Sequence, residues 1–299
     1  MVVRLVRGVF VAAAALGIVM GTTAVASAET GPEQPTFATA AAYAALHPDA
    51  SPSGANDWTC RPSAAHPNPV VLTIGTALNA YEDWAALAPR LAADGYCVFT
   101  ANMGGLPGSP AQAIGSIPVT AEQYRVFVDR VLTATGASKV DVVGHSQGGM
   151  MPRYYIKHLG GATKIGKLIG LAPSNHGTSL FGLLTTITAL PGGPEALSVG
   201  CAACAEQAAG SPFLTELNAG GEIVPTIDYT VITTRFDEVV TPYTSAFLPE
   251  APNVVNQTVQ DYCALDVVDH IHITYDPVAT QLVRNALDPV RATTPNCFG

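Results

Sequence analysis

Short runs of β-branched and aliphatic residues recur along the chain, at Val70 to Ile74, Tyr96 to Thr100, Lys139 to Val143, Leu168 to Ala172, Tyr229 to Thr234 and Val254 to Val259. Stretches with helical spacing of apolar positions fall between several of them, which predicts alternating strands and helices. Such alternation implies right-handed crossovers and a mostly parallel sheet covered by helices on both faces, an α/β fold. Some helix ends are legible. Thr120 with Gln123 predicts a capping box before Phe127, Val128, Val131 and Leu132, and Gly136 can take the left-handed conformation that closes the helix. Asp276 followed by Pro277 predicts the start of a last helix with Val278, Leu282, Val283 and Ala286 on one face. Pro152 is tolerable in a helix that starts near Ser146, though late enough to bend it. Residues from Glu29 to Pro69 are rich in Pro, Ala and Ser with weak periodicity, which predicts an extended segment, 29–56, lying over a single domain, 57–299.

Composition narrows the class. With 299 residues, 48% hydrophobic and 12% charged, the chain can bury a large core and is neither a disordered tail nor a coiled coil. Its net charge of −9 and lack of Lys/Arg clusters argue against a nucleic-acid partner. Arg4 and Arg7 precede an apolar run from Val9 to Met20, and Ala26-Ser27-Ala28 has the small-x-small form that signal peptidase accepts. Residues 1–28 therefore read as a secretory signal, the run being too short to cross a bilayer. Six cysteines, Cys60, Cys97, Cys201, Cys204, Cys263 and Cys297, follow that signal; an even number in an exported chain predicts three disulfides, with 15 pairings open. Cys201 and Cys204 form a lone C-x-x-C without the further ligands of a metal site, and a local staple is the simpler reading.

The chemistry centres on Gly144-His145-Ser146-Gln147-Gly148, a G-x-S-x-G placed after a predicted strand and before a predicted helix. Such a turn holds the serine in a strained conformation clear of the sheet, and the flanking glycines are needed where a Cβ would collide. The serine attacks only if an imidazole takes its proton and a carboxylate orients that imidazole. For this fold class the chain order is serine, acid, histidine. His158 and His176 follow Ser146 too closely to leave room for an acid on a later strand, so His270 and His272 remain as bases. Asp237, just past the strand ending at Thr234, is placed to be the acid, with Glu238 as the alternative; Asp228 lies at the wrong end of that strand, and Asp261, Asp266 and Asp269 are too near the histidines in sequence. The oxyanion donors should be the backbone N–H of Gln147 and a group from the Gly75-Thr76-Ala77 loop. His145 reads as a packed, hydrogen-bonded neighbour of the serine.

At these residues the sequence resembles the class 2 secreted lipases of actinobacteria and, more distantly, lipase B of Candida antarctica. The resemblance is carried by Val70 to Thr76, Gly144-His145-Ser146-Gln147-Gly148-Gly149, Ile223-Val224-Pro225-Thr226 leading into Asp237-Glu238-Val239-Val240, and Cys263 with Asp269-His270. It implies an α/β-hydrolase fold, Asp237 as acid, His270 as base, and Thr76 with Gln147 as oxyanion donors. It further implies the pairs Cys60 with Cys97 and Cys263 with Cys297, leaving Cys201 with Cys204. Ala77 stands where the yeast enzyme has glycine.

Leu180 to Leu197 carries Phe181, Leu183, Leu184, Ile187 and Leu190 with few charges. It reads equally as a core-facing helix or as a lid-like apolar wall around an acyl chain. The expectation is a secreted ester hydrolase, a triacylglycerol lipase or lipolytic esterase, with no cofactor and no metal, acting on lipid or other esters at a transient lipid–water interface; the sequence leaves the oligomeric state open, with a monomer the simplest reading. A polyester depolymerase or acyltransferase would share the triad, as would a serine peptidase; a non-catalytic binding module on the same fold would not use it.

Overall fold

The computed structural model describes residues 29–179 and 192–297. The predicted signal and the apolar stretch Leu180 to Pro191 lie outside them. Six strands, β1 (Val70–Thr73), β2 (Val98–Thr100), β3 (Val140–His145), β4 (Ile165–Leu171), β5 (Asp228–Thr233) and β6 (Val254–Thr258), form one wholly parallel sheet in the order β2-β1-β3-β4-β5-β6. Each coincides with a run predicted from the sequence.

Side chains alternate across the sheet as the period of two requires. Val71, Phe99, Val140, Val142, Leu168 and Val231 pack on one face with helices α4 (Ile117–Thr135) and α5 (Gln147–His158), through Tyr124, Val128, Met150 and Tyr155. Val70, Leu72, Val143, Ile169 and Ile232 face the other way, onto α2 (Ala80–Trp84), α3 (Leu87–Ala93) and α10 (Pro277–Leu287), through Trp84, Leu87, Leu91, Val278, Leu282 and Val283. The sheet is thus buried on both sides, which is why its strands read as continuous apolar runs.

Two local expectations give way to tertiary contacts. The capping box at Thr120 does not form: α4 starts a turn earlier, after Ser116, and Thr120 Oγ donates to the Ser116 carbonyl at 3.0 Å. The cap comes from Glu206, at the end of the short helix α7 (Ala202–Glu206), whose carboxylate accepts from Ile117 N–H at 2.6 Å and from Ser116 Oγ at 2.9 Å. A carboxylate at a helix N-terminus meets both the orphan donors and the dipole there. Gly136 does close the helix in the left-handed conformation, and Asp276 caps α10 through Ala279 N–H at 2.7 Å. The segment 29–56, predicted to be extended, contains helix α1 (Phe37–Ala44). Its alanines have high helix propensity, and Ala40 and Ala44, one turn apart, bury against Tyr81 and Ala85 of the α2 region.

Disulfides join Cys60 to Cys97, Cys201 to Cys204 and Cys263 to Cys297. The first ties the stretch before β1 to the residue just ahead of the edge strand β2; the second staples α7 at its start.

Candidate active site

The carboxyl ends of β1 and β3 lie side by side, and the chain departs from them in opposite directions across the sheet, to β2 on one side and β4 on the other. Ligands of open α/β sheets bind at such a switch point. The loop after β1 carries Thr76 and the turn after β3 carries Ser146, and both line one cavity of about 330 Å³. Its walls include Leu78, Leu197, Val239, Val240 and Ile271, with His270 among them.

Ser146 sits at φ 53°, ψ −121°, a positive-φ conformation that side-chain-bearing residues rarely adopt. The surrounding glycines make it possible. A Cβ on Gly144 would lie 1.9 Å from the Gly148 carbonyl oxygen, and one on Gly148 would lie 2.2 Å from that of Thr73, so no other residue allows β1, β3 and α5 to pack this closely. The turn is anchored by Ser146 N–H donating to Leu171 O at 2.9 Å, and α5 begins at the next residue.

His270 reaches the cavity from a loop that follows β6 and α9 (Val259–Tyr262). Its Nδ1 lies 3.0 Å from both carboxylate oxygens of Asp237, and both side chains are buried. Asp237 is itself held by the backbone N–H groups of Val239 and Val240, at 3.0 and 2.7 Å. With Nδ1 so engaged, Nε2 is the nitrogen left for the cavity. Among the described residues Ser146 Oγ has no hydrogen bond to His270; such bonds commonly tighten only once substrate is bound. Glu238, the alternative acid, instead accepts from the backbone N–H of His270 at 3.0 Å and so fixes the loop, not the ring.

The loop that carries His270 is tied down at several further points. Thr234 Oγ donates to Val268 O at 2.6 Å, Gln260 Nε2 to Asp266 O at 3.0 Å, and the Cys263–Cys297 bridge closes its start against the C-terminal segment. At its far end burial pushes the Asp276 carboxyl up to about 6, with neighbouring Asp266 adding to the shift.

A profile of the class 2 lipases matches residues 67–283, a stretch that contains Thr76, Ser146, Asp237 and His270. The chain belongs to the class 2 lipase family. Over 96 residues it is 36% identical to triacylglycerol lipases of Pseudarthrobacter phenanthrenivorans and of Burkholderia plantarii, covering 30% of this chain and 28% and 25% of theirs. The match therefore spans about a quarter of the length of these relatives. Lipase B of Aspergillus fumigatus superposes with a TM-score of 0.62 over 83% of this chain and 56% of that one, at 21% identity. A Bacillus licheniformis lipase in its mature form does so with a TM-score of 0.54 over 78% and 95%, at 15% identity. The fold of this class 2 lipase is that of the α/β-hydrolases.

The remaining histidines are occupied elsewhere. His158 packs on Tyr154 at the end of α5. His176 donates through Nδ1 to Ser245 O at 2.8 Å and meets Glu222 at 3.0 Å, and this Glu222 contact raises its pKa above the ordinary imidazole value. His272 is half exposed, with Nδ1 2.7 Å from Asp269. Among the described residues no three His, Cys, Asp or Glu side chains converge as a metal site.

Two residues at the site escape sequence reasoning. Gln207, just past α7, donates through Nε2 to Thr76 Oγ at 2.8 Å, while Thr76 Oγ donates to the side-chain carbonyl of Gln147 at 3.0 Å. The threonine hydroxyl is thus a link in a chain, and the backbone N–H groups of Thr76 and Gln147 find no protein acceptor among the described residues. Asp83, on α2, is fully buried beside His145. No motif marks either residue, because each meets the site from an otherwise ordinary helix.

Proposed function

We propose that this class 2 lipase is a secreted carboxylic ester hydrolase acting on lipid esters, a triacylglycerol lipase or lipolytic esterase. The observation that carries the reading is the convergence, on one apolar cavity, of a serine held in a strained strand-to-helix turn and an imidazole whose other nitrogen is taken by a buried carboxylate. Ser146 Oγ attacks the ester carbonyl while His270 Nε2 takes its proton; Asp237 holds the ring in the required tautomer and steadies the imidazolium. The oxyanion that forms is met by the backbone N–H groups of Gln147 and Thr76, the first of them at the start of α5, where the helix dipole favours negative charge. His270 returns the proton to the leaving alkoxide, and water repeats the sequence on the acyl enzyme. The leucines, valines and isoleucine of the cavity suit an acyl chain. Membership of the family and the two triacylglycerol lipase relatives support the ester substrate. Three disulfides and the leader pattern before Glu29 support export.

A fluorophosphonate tests this directly: one adduct on Ser146 is expected, together with hydrolysis of p-nitrophenyl esters compared from acetate to palmitate. Ser146→Ala is expected to lower kcat by roughly 10⁴-fold or more with little change in thermal midpoint, and kcat/KM is expected to fall in acid as the base is protonated. An unlabelled serine in active protein would refute the reading. Equal rates on amides would point to a peptidase, and acyl transfer to added alcohol outrunning hydrolysis to an acyltransferase.

A further inference from the structure

Directly behind the serine lies a second histidine–carboxylate pair that the mechanism above does not use. Asp83 and His145 have fully buried side chains, with Nδ1 2.9 Å from Asp83 Oδ1. The other carboxylate oxygen, Oδ2, accepts the backbone N–H of Gly75 at 2.8 Å. The other ring nitrogen, Nε2, donates to the backbone carbonyl of His270 at 3.0 Å. His145 is also covalently joined to Ser146, and a Cβ on Gly75 would lie 3.0 Å from its Nδ1, so loop and ring are in close contact. Two side chains therefore touch all three segments of the site: the loop that carries Thr76, the turn that carries Ser146 and the loop that carries His270.

We propose that Asp83 and His145 are positioning residues for the reaction at Ser146, a buried strut that holds the oxyanion loop, the nucleophile turn and the base loop in mutual register. The inference rests on the triad reading given above. Both nitrogens of His145 face oxygen acceptors, a carboxylate and a carbonyl, so both contacts are favourable only when the ring carries two protons. Burial alone would lower its pKa, but the Asp83 carboxylate and the His270 carbonyl raise it above the ordinary imidazole value. A buried ion pair adds little net stability, since desolvation offsets its attraction. What this one supplies is direction: Asp83 Oδ2 holds the loop that carries Thr76, His145 Nε2 holds the loop that carries His270, and the 2.9 Å contact between Oδ1 and Nδ1 couples the two. Misplacing reacting groups by about 1 Å can cost about 100-fold in rate. Both side chains are closed off from solvent although His145 lies in the cavity wall, so loss of the strut should appear in the chemical step more than in binding.

The test is Asp83→Asn and His145→Gln, singly and together, assayed on a soluble p-nitrophenyl butyrate. Each single change is expected to lower kcat about 10- to 100-fold with KM within about threefold, and the double change to be no worse than the more severe single one, because the pair acts as a unit. Folded variants that match the wild-type kcat, or that lose only through KM, would overturn the inference. Because breaking a buried ion pair can unfold a chain, the wild-type protein gives an independent readout. In ¹⁵N-histidine NMR, both ring nitrogens of His145 are expected to stay protonated through the pH range in which exposed His272 titrates. A bare nitrogen on His145 would leave one segment untied and would equally overturn the inference. Wild-type protein that neither turns over ester nor takes the fluorophosphonate would instead refute the triad reading.

Discussion

Two histidine–aspartate pairs lie back to back in this molecule, with their imidazole centroids 5.0 Å apart. Both are buried and both join a ring Nδ1 to a carboxylate at about 3 Å. They differ in what meets the second nitrogen. In the Asp237–His270 pair Nε2 is left to a cavity shared with Ser146; in the Asp83–His145 pair it is consumed by a backbone carbonyl. A proton acceptor must have a lone pair free at the place where the proton is released, so only the first pair can act as a reagent. The second, whose Nε2 is taken by a carbonyl and whose Nδ1 faces a carboxylate, has no free nitrogen at the cavity and is suited to holding position. A third pair, Asp269–His272, has the same residue types at the surface, where solvent screening leaves it little influence. Under the proposed reading, identical residue types are sorted into three uses by burial and by the fate of one nitrogen.

The comparison is broken most severely at the reagent carboxylate. Asp237→Asn is expected to lower kcat by roughly 10³- to 10⁴-fold, since an amide would hold the ring in the wrong tautomer, whereas Asp83→Asn stays within the smaller loss given above. Equal losses in steady-state assays would erase the distinction between reagent and strut. Next comes the anchoring of the base loop. Replacing Cys263 and Cys297 by alanine is expected to cost about 2–4 kcal/mol of stability and to lower activity along with it; chemical denaturation and initial rates measure the two effects.

A smaller effect comes from the carboxyls that burial makes harder to ionise in the fold. Burial pushes Glu82 up to about 7, and Asp141 and Asp276 to about 6. In the unfolded chain these groups ionise near 4, so their contribution is fully present below that pH and is lost as the pH rises through about 6 to 7. Asp276→Asn, which keeps a capping side chain but cannot ionise, is expected to flatten the fall in thermal midpoint between pH 5 and 8, and to leave α10 intact. Calorimetry at the two pH values decides; an unchanged slope would mean that Asp276 is already ionised in the fold. Smallest of all, His272→Ala is expected to leave kcat and KM within about twofold, and a large loss would transfer the base to that residue.

How much of this was legible beforehand follows the range of the forces. Six strands and the serine turn could be read because a run of β-branched residues and a G-x-S-x-G state their own local conformation. Asp237 and His270 were narrowed by chain order and strand position, then singled out by resemblance, since Glu238 and His272 satisfy the same sequence logic. The start of α4 was misplaced because its cap, Glu206, lies 89 positions away. Helix α1 was read as extended because its short alanine run carries little periodicity and is stabilised by packing on Tyr81. Gln207 and Asp83 could not be anticipated at all: a glutamine after a five-residue helix and an aspartate within another are ordinary surface compositions until the fold encloses them.

From its own residues the chain determines what depends on neighbours a few positions away: which stretches extend, where glycine permits a backbone reversal, and which side chain that reversal exposes. The assembly of remote segments belongs to the tertiary structure alone, because hydrogen bonds and burial act over a few ångströms of space and take no account of separation along the chain. Hence a serine could be marked in advance as standing on a strained turn, while the partners of each imidazole, and so which one keeps a nitrogen facing the cavity, were decided only when β1, β3, α2 and the C-terminal loop came together.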